Sequence, residues 1–427
     1  MSASKRQVVV FEDRAWRGLY PITLSRPAFD CRAGGTTLGR RLLAQLAERD
    51  LKHVTFLTRS LLRPLVEREY LGHAVNQNHA ADTLFLNGRL LCLGDSLDRL
   101  LELMEKSVAV KVGDELAAVR LTGSAAKTYG LELMEALEAG DPVPAPVQQT
   151  VGDSSKDLRL VRHAWDLVSW TSEIIEDDFN WAKSHPHHSA PETSPGSLLL
   201  RKEHIRVREG VCLEPGAVLD ARSGPILLGE HVHIEHGAVV LGPAYLGPHT
   251  RVKMGARIYD GVSAGPQCRL GGEIEAAVFQ GYANKQHDGF LGHAYLGAWT
   301  NLGAATNNSD LKNNYRPVSV WTPDGEIDTG LLFAGLFMGD HSKTAIGTRF
   351  NTGTVVGFSC NLFGSGFPPR RVPSFTWAGD DGASAYRLDA ALDVAGRVMA
   401  RRNQRLEPAD EVLFRHILDT DGVQGSR

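Results

Sequence analysis

LGEHVH-IEHGAV-VLGPAY-LGPHTR-VKMGAR-IYDGVS-AGPQCR-L runs from Leu228 to Leu270 and decides the fold of the second half of the chain. An aliphatic residue or alanine opens each unit: Leu228, Ile234, Val240, Leu246, Val252, Ile258, Ala264 and Leu270. Four positions later stands a small or β-branched residue: Val232, Ala238, Ala244, Thr250, Ala256, Val262 and Cys268. A period of six fits neither a helix nor a hairpin sheet. It is the signature of a parallel β-helix, a solenoid with short strands on flat faces. The opening aliphatic points inward, and glycine beside it, as at Gly229, Gly247, Gly265 and Gly271, permits a tight corner. Three hexapeptides make one coil, which rises by about 4.8 Å, the inter-strand spacing.

The repeat extends upstream through Val207, Leu213 and Leu219, and downstream through Leu296, Leu302, Ile346 and Thr352. Two interruptions, near 276–291 and 307–345, are expected to loop out of the solenoid. Loops on a rigid scaffold are where binding and catalysis concentrate.

A chain of 427 residues has room for two or three domains. Its net charge of −4 gives no support to nucleic-acid binding, and no apolar run reaches membrane-spanning length. Five dispersed cysteines argue against a disulfide framework. The amino terminus lacks the apolar core of a signal peptide, and together these features point to the cytoplasm. Before the solenoid, Val8–Phe11, His53–Leu57, Thr83–Leu86 and Val108–Val112 read as strands. Thr37–Glu48, Ser96–Met104, Ser124–Leu137 and Thr171–Lys183 read as helices. That alternation predicts a mainly parallel α/β layer. The expected organisation is a nucleotidyltransferase-like (Rossmann-like) α/β domain over 1–184, a Pro/Ser/His-rich linker over 185–199, a β-helix over 200–376 and a helical tail over 377–427.

Residues 281–315 are dense in polar groups that a solenoid does not need: Asn284, Lys285, His287, Asp288, His293, Tyr295, Asn301, Asn307, Asn308 and Lys312. Asparagines can stack in turns and histidines can sit on a solvated face, but the whole cluster reads as a site. Histidine is the side chain best placed to exchange a proton near neutral pH. A zinc hydratase is the rival from another class, suggested by His231, His233 and His236 and by the solenoid of the γ-class carbonic anhydrases. Zinc needs three converging ligands. These histidines take differing hexapeptide phases and lack an evident upstream ligand, so no metal site is expected. The linker histidines His185, His187 and His188 resemble a metal tract only superficially.

Gly292-His293-Ala-Tyr295-Leu-Gly297 followed by Asn301–Thr306 resembles the acetyltransferase half of the bifunctional N-acetylglucosamine-1-phosphate uridyltransferase/glucosamine-1-phosphate N-acetyltransferase. The whole chain is similar to a related bacterial family of sugar nucleotidyltransferases with a hexapeptide-repeat acyltransferase domain. The marks are Leu24–Pro27, Trp165–Val168, Asn284–Gly289, Gly339–Thr344 and Asn351–Val356. The similarity is strong in 281–376 and loose in 30–160. It implies a left-handed solenoid, against the usual right-handed crossover, and a homotrimer with sites between subunits. It assigns His293 as general base, with Tyr295 and Asn301 beside it. Asn284, Lys285, Asp288 and Lys312 become substrate contacts, and His341 and Lys343 face an acyl-CoA, acetyl-CoA foremost. A neutral imidazole would take the amine proton as nitrogen attacks the thioester, with amides or hydroxyls steadying the oxyanion.

In the first half the glycine-rich phosphate loop of such enzymes is missing. Arg14, Arg17, Arg26 and Arg32 replace it as candidate phosphate ligands, with surface arginines as the bland alternative. Where those enzymes place a Gly-Asp pair to hold Mg²⁺, this chain has Asn87-Gly88, and Asp95 is expected to cap the helix at Ser96. The expectation is therefore a multifunctional sugar-nucleotide-pathway transferase of cell-envelope biosynthesis. It would move an acyl group from acyl-CoA to an amino-sugar phosphate or nucleotide. A nucleoside triphosphate and Mg²⁺ serve the first domain if that domain is active. The alternatives are nucleotidyl transfer alone with the solenoid as scaffold, and a non-catalytic solenoid that binds sugar nucleotides.

Overall fold

The computed structural model describes residues 6–79, 81–146, 151–153, 158–183, 189 and 195–423. The linker histidines His185, His187 and His188 lie outside the described residues. The chain forms two compact units. The first comprises Met1–Leu19, Ser25–Cys31 and Thr36–Arg162, and the second comprises Tyr20–Leu24, Arg32–Gly35 and His163–Arg427.

A seven-stranded sheet organises the first unit. Its order is Val151–Asp153, Ala109–Val112, Glu115–Leu121, Thr83–Asn87, Gln7–Phe11, Val54–Leu57 and Ala74–Val75. Gln7–Phe11 pairs in parallel with both neighbours. Apolar residues of both sheet faces are buried, Val8, Val10 and Leu84 on one and Val9, Phe11 and Phe85 on the other. The expected strands and helices are present, the helices as Leu38–Glu48, Ser96–Lys106, Gly123–Ala139 and Thr171–Lys183. Thr37 caps the first, its side chain accepting from the Arg40 amide. Glu115–Leu121 was not expected. It runs antiparallel to both neighbours, so the sheet is mixed. Its residues 116–119 are all buried, which erases the alternation that would have marked a strand.

The second unit is a parallel β-helix. His233 pairs with Arg251 and Arg251 with Arg269, each eighteen positions on, as three hexapeptides require. Leu213, Ile234, Val252 and Leu270 stack inward on that face and are buried. Each such side chain contributes about 1.5–3 kcal/mol of burial. The small residues of the repeat, Val232, Ala238, Ala244, Ala256 and Val262 among them, are buried too. The helix Thr171–Lys183 belongs to this unit and not to the α/β layer, because Ile175, Phe179 and Ala182 pack on Leu227 and Tyr245 of the solenoid. At the far end Thr376–Gly379 pairs antiparallel with Gly382–Ala385. The helices Leu388–Ala400 and Pro408–Asp421 follow.

The first interruption does not loop out. Glu273–Phe279 and Phe290–Leu296 are seven-residue strands that pair in parallel inside the solenoid. These coils are shortened, with Leu270 pairing Lys285 fifteen positions on. They turn a corner within one strand, through a single left-handed residue: Ala276 at φ 43° and His293 at φ 45°. The second interruption does leave the coil. Asn301 bridges to Lys343, and the excursion between them carries the hairpin Ser319–Thr322 and Gly325–Asp328.

Lys285 occupies an inward position, in register with Leu270, and is fully buried. Its Nζ donates to the carbonyls of Gly271 and His287, and burial pushes its pKa down to about 8. Between about 8 and the ordinary lysine value near 10.4 the unfolded chain therefore binds more protons than the folded one, and stability rises with pH. Chemical denaturation at pH 7.5 and 10 should show this gain, with Lys285 contributing on the order of 2–3 kcal/mol. Lys285→Met should lose that share of the pH dependence.

Candidate functional site

His293 stands at the corner formed by the strand Phe290–Leu296, half-buried, in a left-handed conformation unusual for a residue with a side chain. Ala276 takes the same conformation at the equivalent corner one coil earlier, so it is the side chain and its partners that set His293 apart. Its Nδ1 lies 2.8 Å from Asp310 Oδ2, and its ring stacks on Phe333 with centroids 4.9 Å apart. Both partners come from the stem of the excursion, where Leu311 bridges Phe333 and the Ala334 amide donates to the Asp310 carbonyl. Asn308 is buried and clamps the neighbouring peptide: its Oδ1 accepts from the Gly292 amide and its Nδ2 donates to the Gly292 carbonyl, both at 2.9 Å. A Cβ on Gly292 would collide with Asp310 Oδ2 and the Phe290 ring, so glycine is what lets the carboxylate reach the imidazole. Glu275, opposite Gly292 in the ladder, adds a second carboxyl, which burial holds above its usual range and His293 lowers.

A carboxylate on Nδ1 selects the tautomer with its proton there and leaves the Nε2 lone pair as the base. Nε2 makes no hydrogen bond among the described residues. The arrangement is that of an oriented general base. Asp310 was missed from sequence because it meets His293 from seventeen positions on, where the excursion departs. The Asn-Asn-Ser-Asp run ending at Asp310 was the available signal.

The other candidates separate from this corner. Tyr295 is fully buried: its hydroxyl donates to Gln280 Oε1 and accepts from the Arg32 amide, both at 2.7 Å. It anchors the segment at Arg32 and cannot meet a substrate. Arg32 is itself buried, its guanidinium donating to the carbonyls of Gln280 and Gly34, so it leaves the phosphate set. Asn284, Asn301 and Lys343 stack in consecutive coils of another face. There Asn284 Oδ1 accepts from Arg402 Nη2 at 3.3 Å. Lys343 Nζ donates to the His341 carbonyl at 2.7 Å, and burial pushes its pKa down to about 8. His341 is a buried corner residue at φ 61°, its ring against Phe358 and Phe414, which removes it from cofactor contact. Lys285 is likewise interior. Asp288 is exposed, and Lys312 Nζ donates to the Pro317 carbonyl within the excursion.

In the first unit Arg14 is exposed and Arg17 half-buried on the turn Arg14–Leu19, and Arg26 lies 3.7 Å from Asp30. The carboxylates that follow the first strand are already committed. Arg59 holds Glu12 at 3.0 Å and Arg89 holds both oxygens of Asp13, at 2.8 and 2.6 Å. Asn87 Nδ2 donates to Asp13 as well. A Mg²⁺ ion needs free carboxylate oxygens, and these residues do not fit one. Asp95 precedes its helix but makes no side-chain cap; it pairs with Arg99 at 3.0 Å.

A family profile described as sugar nucleotidyl transferase matches residues 8–186. The chain is 31% identical over 183 residues to the uncharacterized acetyltransferase YaiX of Escherichia coli (strain K12), an alignment covering 42% of this chain and 77% of that protein. YaiX of strain 536 matches to the same extent. The chain belongs to the YaiX acetyltransferase family. Family and profile together make it a transferase, and the profile bears out the resemblance to sugar nucleotidyltransferases. The profile falls on the half where the motif resemblance was looser. Among solved structures, UDP-N-acetylglucosamine acyltransferase from Campylobacter jejuni is 12% identical at a TM-score of 0.28, over 54% of this chain and 97% of that one. Mannose-1-phosphate geranyltransferase from Thermus thermophilus is 12% identical at 0.26, over 61% and 90%. None of the described helices of this YaiX-family chain is long and apolar enough to cross a membrane.

Gly292→Ala should displace Asp310 from His293 while leaving the solenoid folded. Circular dichroism should stay native, and the imidazole proton resonance of His293 that reports the carboxylate hydrogen bond should shift or vanish.

Proposed function

We propose that this chain transfers an acyl group from acyl-CoA, acetyl-CoA foremost, to the amine of an amino-sugar phosphate or sugar nucleotide, with His293 as general base and Asp310 as its positioning residue. The observation that carries the reading is the His293–Asp310 pair, with Nε2 making no hydrogen bond among the described residues. The amine nitrogen attacks the thioester carbonyl carbon while Nε2 takes the amine proton. Collapse of the tetrahedral intermediate breaks the carbon–sulfur bond, and the departing thiolate takes the proton back from the imidazolium. The family profile over residues 8–186 supports a sugar nucleotide as the class of acceptor. Arg14, Arg17 and Arg26 are the proposed phosphate contacts of that domain, and Asn284, Asn301 and Lys343 the proposed contacts on the second face of the solenoid. That face and the His293 corner are different parts of one chain's coils, which favours a homotrimer in which a neighbour completes the site. The five cysteines are free, in keeping with a cytoplasmic enzyme of cell-envelope synthesis. Nucleotidyl transfer by the first domain is the second reading, favoured by the same profile match.

His293→Ala should lower CoA release by roughly 10²–10⁴-fold with acyl-CoA binding nearly unchanged. Asp310→Asn should lower it by about 10–10³-fold, because the wrong tautomer is then stabilised. Turnover near wild type in both variants would leave the solenoid as a scaffold. Pyrophosphate release from nucleoside triphosphate and sugar-1-phosphate, without CoA release, would instead support the second reading. Light scattering at micromolar concentration should give a mass three times that of the chain, and a monomer would count against the shared site.

A further inference from the structure

Outside this site, three metal-binding side chains meet on the first coils of the solenoid, with a fourth, His236, beside one of them. Cys212 and His233 are partners in the parallel ladder, so they stand side by side on one outward face. Glu214, whose amide donates to the Ile234 carbonyl, extends that row. His233 Nε2 lies 2.9 Å from Glu214 Oε1, Cys212 Sγ 3.8 Å from the same oxygen, and His236 Nε2 3.8 Å from Oε2. One donor atom each from Cys212, Glu214 and His233 fall within 4.8 Å of one another. Tetrahedral zinc, with bonds of about 2.0–2.3 Å, separates its ligand atoms by roughly 3.3–3.8 Å. The donor atoms of Cys212, Glu214 and His233 lie close to that spacing, and His236, which approaches the other Glu214 oxygen from outside this trio, is the fourth ligand a side-chain rotation would add.

The donor types narrow the ion. One thiolate, two imidazoles and one carboxylate suit zinc and its transition-metal neighbours, and do not suit calcium or magnesium. Cys212 is exposed, whereas the other four cysteines are buried. His231 takes no part: it is a corner residue stacked on His249 at 5.0 Å.

We propose that Cys212, Glu214, His233 and His236 bind one zinc-class divalent ion that ties the first two coils together. Binding forms the metal–sulfur bond and releases the thiol proton to water. An ion that binds the folded ladder and not the unfolded chain stabilises the solenoid.

Tag-free, chelator-stripped full-length protein should take up one cobalt(II) ion per chain with the intense visible bands of a tetrahedral site and a near-ultraviolet thiolate charge-transfer band. Cys212→Ser should abolish the charge-transfer band, and His233→Gln should weaken binding at least ten-fold. Zinc should raise the melting temperature of the wild type and not of Cys212→Ser. Replacing His185, His187 and His188 together with alanine should leave all of this unchanged. Weak octahedral spectra, binding that survives Cys212→Ser with its sulfur band, or binding lost with the three linker histidines would each overturn the proposal.

Discussion

Backbone pairing between successive coils is the interaction on which the second unit depends. It places each inward side chain over its counterpart one coil away, as Ile234, Val252 and Leu270 lie over one another. A coil can then gain or lose residues only at a corner or by leaving the solenoid. The chain does both. Shortened coils turn at Ala276 and His293 within a strand, and the excursion after Asn308 departs and returns through a narrow stem. The proposed base and its carboxylate meet because these two departures from the repeat adjoin.

The repeat was legible because burial on a solenoid face demands the same residue class at a fixed spacing. Its irregularities were legible only as breaks. Cys212 pairs with His233 twenty-one positions on, three more than the period, because residues 221–225 form a longer corner. Counting back eighteen from His233 lands on Pro215, so the sequence offered no upstream partner. Tyr295 and His341 show the opposite failure. Their types matched a motif, but burial decides whether a hydroxyl or an imidazole meets a ligand, and neither position announces its depth. Lys285 sits where an aliphatic was due, and a local window does not reveal that two carbonyls receive its amine.

In the first unit, buried ion pairs fix the turn that follows the first strand. Glu12 is buried and receives the Ala28 amide, the Thr58 hydroxyl and the Arg59 guanidinium. Asp13 is held by Arg89, which also reaches Glu115 and the Val161 carbonyl. Removing one member would strand its partner, at a cost of about 3–5 kcal/mol. The turn after the first strand is thereby held rigid, and its carboxylates serve as structural anchors. The arginines on that turn were visible in sequence; the long-range partners of its carboxylates, up to seventy-six positions away, were not.

A parallel solenoid is polar, with two unlike ends, and each end offers unpaired strand edges to another molecule. At the carboxy-terminal end one face does not stop on a parallel strand. Gly382–Ala385 turns back antiparallel on Thr376–Gly379 before the helices begin. A second copy arriving with its first coil, Cys212–Leu213 at the edge of the same face, would there meet a strand running the wrong way for the ladder to continue. One reversed strand of four residues thus works against end-to-end filaments, and it does so without charge or bulk.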